Sequence, residues 1–256
     1  MRILLTNDDG IHARGLDALR LALEDIAEVI VAAPDRERSA TGHGITVDYP
    51  IRVSKYQFSH SSTPGWIIDG TPADCVKLAI CALLSHPPDL VVSGINRGGN
   101  LGTDVLYSGT VSAAIEGIIQ GIPSIAVSLN SFDFQADYSY AASVACKLCL
   151  EIKKVGLTTD TMLNVNVPAV TEAEIKGTQI TKLGIRRYED VFQERQDPRG
   201  RTYFWLAGDI VDDDQDQDAD VMVIRKNIIS ITPIHFDLTN FKLIQELKDK
   251  LNHVLW

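Results

Sequence analysis

Apolar positions along this chain follow two alternating patterns. Ile3, Leu4 and Leu5 form an unbroken run that Asn7, Asp8, Asp9 and Gly10 stop abruptly, as expected of a strand buried on both faces and ended by a turn. Over 13–25 the spacing becomes helical, with Leu16, Leu19, Leu23 and Ile26 on one face. Residues 28–33 (EVIVAA) give a second buried strand, closed by Pro34. The polar, glycine-bearing residues 35–46 predict a loop at its carboxyl end, and 47–54 and 65–69 predict antiparallel excursions. Thr71-Pro72-Ala73-Asp74 supplies an N-capping Thr, a first-turn Pro and an acid three residues on. A helix should start there and run to Leu84, before the Pro87-Pro88 break.

The alternation continues with a third buried strand over 90–93 and the loop GINRGGNLGTD after it. A helix start at 108–110, a strand over 124–129, a helix over 138–155 and a strand over 163–167 follow. Such alternation over about 170 residues predicts an α/β fold: a doubly wound, mostly parallel sheet, Rossmann-like in three αβα layers, within one domain spanning 1–256. The grammar changes over 179–209, where polar-aromatic segments flank a DPRGR turn at 197–201, the pattern of a projecting hairpin. Asp212, Asp214, Asp216 and Asp218 alternate as in a calcium loop, but no frame puts Gly sixth and Glu twelfth. The acidic stretch 209–220 is therefore expected to be a solvated loop before a helix at 219–226. A strand over 228–234 and a helix over 241–255 close the chain. In that helix Ile244, Leu247, Leu251 and Val254 share a stripe, and Phe241, Leu243, Leu255 and Trp256 widen it beyond one face. It either packs back on its own sheet or serves, with the rest of 228–256, as an arm that joins subunits.

Composition narrows the function classes. Hydrophobic residues make up 45% of the 256 and the formal net charge is −10. A globular protein with a sizeable core fits, and binding to a nucleic-acid polymer does not. No apolar run reaches membrane-span length, and Met1-Arg2 leads straight into a strand without a leader pattern. Cys146 and Cys149 have CxxC spacing but fall on the apolar face of a helical run, and no second pair of zinc spacing accompanies them or Cys75 and Cys81. Core thiols in a reducing cytoplasm are the expectation.

Three loops at carboxyl ends of neighbouring core strands then stand out. They carry Asp8 and Asp9, Ser39, and Asn96. Carboxylate, hydroxyl and amide oxygens form a hard donor set, suited to Mg²⁺, Mn²⁺ or Ca²⁺ and poorly to zinc or copper. Capping of the next helix by Asp8 and Asp9 is the plain alternative. Ser108, Gly109 and Thr110 open a helix whose free N–H groups and dipole make a phosphate site, with simple capping by Ser108 as the alternative. Glycines 94, 98, 99 and 102 imply a backbone that turns tightly beside a ligand, with Gly98 and Asn100 as candidate contacts and Asn7 beside the acids. There is no Walker lysine and no GxGxxG after the first strand.

Taken together these blocks resemble the SurE (survival protein) family of metal-dependent 5′-nucleotidases. The resemblance rests on ILLTNDDG at 3–10, APDRERSATGHGIT at 33–46, DGTPADCV at 69–76 and VVSGINRGGNLGTDVLYSGTVSAAIEG at 91–117. Weaker blocks are GIPSIAVSL at 121–129, LNVNVP at 163–168 and TPIHFDLT at 232–239. It implies one divalent metal ion, Mg²⁺ or Mn²⁺, at Asp8, Asp9, Ser39 and Asn96. It also implies nucleoside monophosphates as substrates, with 3′-nucleotides and short polyphosphate as further ones, and a homodimer or homotetramer built through the hairpin and the carboxyl-terminal segment.

On this reading Asp8 or Asp9 orients or deprotonates the attacking water, and an aspartyl-phosphate on Asp8 is the rival. His43 and His235 are candidate acids for the leaving group, His43 also a substrate contact, and a structural role is open for both. A non-catalytic nucleotide or metal sensor would carry the same site. A glycosyltransferase is disfavoured because these loops lack DxD spacing.

Overall fold

The structure, a computed structural model, describes residues 1–189, 191–208, 210–211 and 216–251. The amino-terminal part runs β1 (Arg2–Thr6), α1 (Arg14–Glu24), β2 (Glu28–Pro34), β3 (Val53–Gln57), β4 (Pro64–Ile68) and α2 (Pro72–Leu78). The middle part runs β5 (Leu90–Arg97), α3 (Gly109–Ile119), β6 (Ser124–Asn130), α4 (Ser139–Val155) and β7 (Met162–Pro168). The remainder is β8 (Thr178–Ile180), β9 (Arg187–Tyr188), β10 (Val191–Gln196), β11 (Thr202–Ala207), β12 (Ile210–Val211), α5 (Asp220–Ile224), β13 (Ile229–Ile234) and α6 (Phe241–Leu251).

Among the described residues nine strands make one sheet, in the order β3-β4-β2-β1-β5-β6-β7-β13-β8. From β4 to β7 every neighbouring pair is parallel. The central strands are apolar on both faces because helices cover both. Ile3, Leu5, Val31, Val92 and Val127 pack under α1 and α4. Leu4, Ala32 and Val91 pack under α2 and α3. This is the three-layer α/β arrangement expected from the alternation. The helical spacing in α1 holds, since Leu16, Leu19 and Leu23 are all fully buried. At α2 the Thr71 hydroxyl accepts from Asp74 N, and Asp74 accepts from Thr71 N in return, completing the capping box.

Several elements differ from expectation. The excursion at 47–54 is shifted, since β3 begins only at Val53. Only β3 runs antiparallel there, because β4 joins the main sheet parallel to β2. α2 gives way at Ala79 to a wider turn that ends at Leu83. β5 extends four residues past Ser93, with a register shift against β6 between Ser93 and Asn96, so Asn96 stands on the strand end and not in the loop. Residues 178–180 pair with β13 as an edge strand, and the projecting ribbon proper is β10 and β11 around the 197–201 turn. Asp209, Asp212 and Asp214 of the acidic stretch lie outside the described residues. Its last member, Asp220, is fully buried and accepts backbone N–H groups from Gly102, Gly184 and Val221, each at 2.8 Å.

The closing helix α6 buries none of its described residues. Ile244, Leu247 and Leu251 stay 37%, 47% and 42% exposed, so it does not pack back on its own sheet. Val254, Leu255 and Trp256 of its stripe lie outside the described residues. No helix among the described residues is long and apolar enough to cross a membrane.

Candidate active site

The chain runs from β1 outward to β2 on one side and later returns to β5 on the other. This reversal leaves a crevice beyond the carboxyl ends of β1 and β5, the position where doubly wound sheets bind ligands. The β1 to α1 turn supplies Asp8 and Asp9 there. Asn7 shapes that turn and is fully buried: its Nδ2 donates to Gly10 O at 3.0 Å and its Oδ1 accepts from Gly10 N at 3.2 Å. Its side chain is thereby spent on the backbone.

Asp8 is 4% exposed, and its Oδ1 accepts from the Thr110 hydroxyl. Burial pushes its pKa up to about 6, with the nearby Asp9 charge adding to the rise and the Thr110 hydrogen bond opposing it. Asp9 is half-buried, and burial followed by the Glu37 charge raises it as well, against an N–H from Arg97 at 3.2 Å. Thr6 at the end of β1 and its register partner Ser93 on β5 are fully buried, and among the described residues their hydroxyls find no hydrogen-bond partner. Two adjacent acids disfavoured as anions match what a hard divalent cation relieves. The rest of such a shell would come from neutral oxygens. Asn96 commits its Nδ2 to Gly98 O at 2.7 Å, which leaves Oδ1 to offer. Ser39 is exposed and donates to Glu37 Oε1 at 2.7 Å. Its neighbour Arg38 donates its N–H to Asp8 O at 2.8 Å, which ties the Ser39 loop to the β1 turn.

The helix start at 108–110 stands directly against Asp8. A Cβ on Gly109 would lie 2.7 Å from Asp8 Cβ and 2.9 Å from its Oδ2, so only glycine allows this approach. Ser108 caps α3, its Oγ accepting from Val111 N at 3.0 Å. The Ser108 hydroxyl oxygen thus serves the cap and the Thr110 N–H bonds the Asp8 carboxylate, which leaves the Gly109 N–H at the helix end. Asn100 turns inward: Nδ2 donates to Ser128 Oγ at 2.8 Å, and its carbonyl accepts from Asn164 and Asn166 at 2.8 and 2.9 Å. It anchors the glycine loop to β6 and β7.

His43 is 3.0 Å from Glu116 Oε2 on α3, so it fastens the Ser39 loop instead of standing free. The same loop is held by Thr46, whose N and Oγ1 donate to Asp74, and by Gly42 N, which donates to Tyr107 O. Glu116 is 2% exposed; burial works against its charge, but hydrogen bonds from His43, Lys77 and Gln120 outweigh this and hold its pKa below the usual value. Glu116→Ala should therefore cost on the order of 2 kcal/mol at neutral pH, the half-exposed Lys77 limiting the loss. A carboxylate with a lowered folded pKa stabilises above its unfolded pKa, and that contribution fades as pH falls through the folded one. Urea unfolding of parent and variant should show the gap narrowing in acid.

His235 is exposed at the end of β13, beside the start of β7, where Ile234 pairs with Met162. That is the amino edge of the parallel sheet, opposite the acids, so His235 of the same chain does not reach the crevice. Arg97, Glu37 and Glu116 were not singled out from the sequence. Only Glu116 gave a signal, as a lone acid in an apolar helix. Among the described residues no three His, Cys, Asp or Glu side chains converge. A cavity of about 160 Å³ opens beside Asp9, lined by Arg14, Glu37, Arg97, Phe134 and Tyr138.

Comparison with known proteins places the whole chain among similar ones. Residues 3–190 match the family described as survival protein SurE. The 5′-nucleotidase SurE of Heliobacterium modesticaldum is 58% identical over 251 residues, covering 98% of this chain and 92% of its own length. That of Syntrophomonas wolfei is 55% identical over 258 residues, covering 100% and 97%. The crystal structure of the SurE protein from Aquifex aeolicus superposes with a TM-score of 0.84 at 39% identity, covering 98% of this chain and 99% of that one.

Proposed function

The chain belongs to the SurE family, and from that premise we propose that it is a divalent-metal-dependent 5′-nucleotidase, releasing phosphate from nucleoside monophosphates. The observation that carries this reading is the contact of the α3 start with Asp8 at the sheet's switch point, which joins a metal-type acid pair to a phosphate-type helix end.

Asp8, Asp9, Asn96 Oδ1 and Ser39 would hold the cation, Mg²⁺ or Mn²⁺. When bound, the metal neutralises phosphate charge and lowers the pKa of water. The Gly109 N–H and the Ser108 hydroxyl proton at the start of α3 hold non-bridging phosphate oxygens. Asp9, the more open acid, orients the attacking water and takes its proton. Asp8 is buried, engaged by Thr110 and pressed by Gly109, which disfavours it as a covalent nucleophile. Asn7, Asn100 and His43 hold the loops that carry these groups. A panel of 5′- and 3′-monophosphates and short polyphosphate, with Mg²⁺ and with Mn²⁺, tests the reading. Preferential turnover of 5′-nucleotides supports it, and no turnover of any nucleotide refutes it.

The chain is further proposed to form a homodimer or homotetramer, held partly by the segment after β13, since β13 itself lies inside the main sheet and only the rest of 228–256 can serve as an arm. The uncovered stripe of α6 supports this, as do Phe204, Trp205 and Leu206 on the ribbon, each more than half exposed. Light scattering should give a dimer or larger for the full chain and a shift toward monomer for a truncation ending at Asp237. A monomeric full chain would refute the assembly.

A further inference from the structure

The loop between β6 and α4 presents two phenylalanines to solvent. Phe132 and Phe134 are each 70% exposed, yet their backbone is held firmly. Arg14 Nη1 donates to Phe134 O at 2.9 Å and Arg97 Nη1 to Phe132 O at 3.4 Å. Asp133 N donates to Ser131 Oγ, and Gln135 N to Asp133 Oδ1. The Arg97 guanidinium lies 3.9 Å from the centre of the Phe134 ring, covering one face. Arg97 also donates its backbone N–H to Asp9 Oδ2, so one residue links the acid pair to the aromatic loop.

Phe132 sits differently. Its ring edge lies over Gly98, where a Cβ would come within 2.7 Å of Phe132 Cε1. Gly98 is two residues past Asn96 and accepts its Nδ2. An apolar ring is thus kept in water on a pinned backbone, beside the residue that offers its amide oxygen to the crevice. Its contact with Gly98, which Asn96 bonds, argues for an occupant that extends from the phosphate position, is flat and apolar on its faces, and tolerates many edge patterns. A nucleobase has these properties, and stacking on an aromatic ring is how proteins hold bases without reading their sequence.

We infer that Phe132 is the platform on which the substrate's base stacks, and so a specificity-determining residue. The inference rests on the nucleotidase reading above. Stacking acts on the base alone, so Phe132→Ala lowers the ratio of kcat/KM for AMP to that for ribose 5-phosphate, by about tenfold and mainly through the KM for AMP. Phe132→Tyr, which keeps the ring, restores the ratio. At 70% exposure the side chain supports little of the fold, and an unchanged melting temperature checks that.

Steady-state kinetics on both substrates with saturating Mn²⁺ decides the matter. An unchanged ratio in Phe132→Ala overturns the inference, as does a selective loss appearing instead in Tyr107→Ala, whose ring is 64% exposed next to Ser108. A drop in molar mass of Phe132→Ala by light scattering, with the ratio intact, would make the ring a contact between chains and overturn it too. A parent enzyme that treats ribose 5-phosphate and AMP alike would overturn the inference before any substitution. No turnover of AMP by the parent would instead overturn the nucleotidase reading, so the two failures are separable.

Discussion

Asp9→Asn is expected to lower phosphate release from AMP by on the order of 10³-fold at saturating Mn²⁺. The substitution removes a carboxylate from the proposed hard-cation site and the group assigned to orient water. It should leave the fold intact, because Asp9 is half-buried and an asparagine oxygen can still accept from Arg97 N. Circular dichroism and melting temperature check that condition. Ser39→Ala should be much milder: Ser39 is exposed and, on the proposed reading, would contribute a neutral oxygen that water can replace. Equal damage from both variants at saturating metal would contradict the division of roles.

Gly109→Ala is expected to lower kcat/KM by about 10²-fold, although it adds only a methyl group. The new Cβ would stand 2.7 Å from Asp8 Cβ and 3.1 Å from Pro72 Cγ. Asp8 or the start of α3 must then move, and the acid and the phosphate-holding donors part from their shared geometry. Alanine favours a helix over glycine by roughly 0.5–1 kcal/mol, so part of the packing strain is offset and the protein should still fold. Full activity with unaltered metal affinity would mean that the close approach has no part in catalysis.

How far the sequence disclosed this site depends on the kind of residue. Asp8 and Asp9 were legible because an apolar strand ends on them, and strand ends in α/β folds face ligands. Leu16, Leu19 and Leu23, and the capping pair Thr71 and Asp74, were legible because their signals are local. Asn96 was found but misplaced, since Gly94 reads as a break while β5 carries on through it to Arg97. The direction of β4 and the enrolment of β8 beside β13 depend on pairing between distant segments, which periodicity does not encode. Asn100 and Asn7 carry the same amide as Asn96. Only the fold tells that Asn100 bonds into β6 and β7 and that Asn7 closes its own turn. Arg97 gave no signal because its role lies in joining Asp9 to a loop more than 30 residues further along.

The central claim is that the acid pair at the switch point acts through a divalent cation on a nucleotide phosphate. It is tested most directly by measuring phosphate release from AMP while free Mn²⁺ is varied with a chelator, alongside metal binding by the same preparation. The account predicts that turnover vanishes in excess chelator, returns on adding Mn²⁺ in proportion to metal bound, and that both binding and turnover are lost in the Asp8→Asn, Asp9→Asn double variant. Undiminished turnover in excess chelator, or metal-dependent turnover that survives in the double variant, would contradict it.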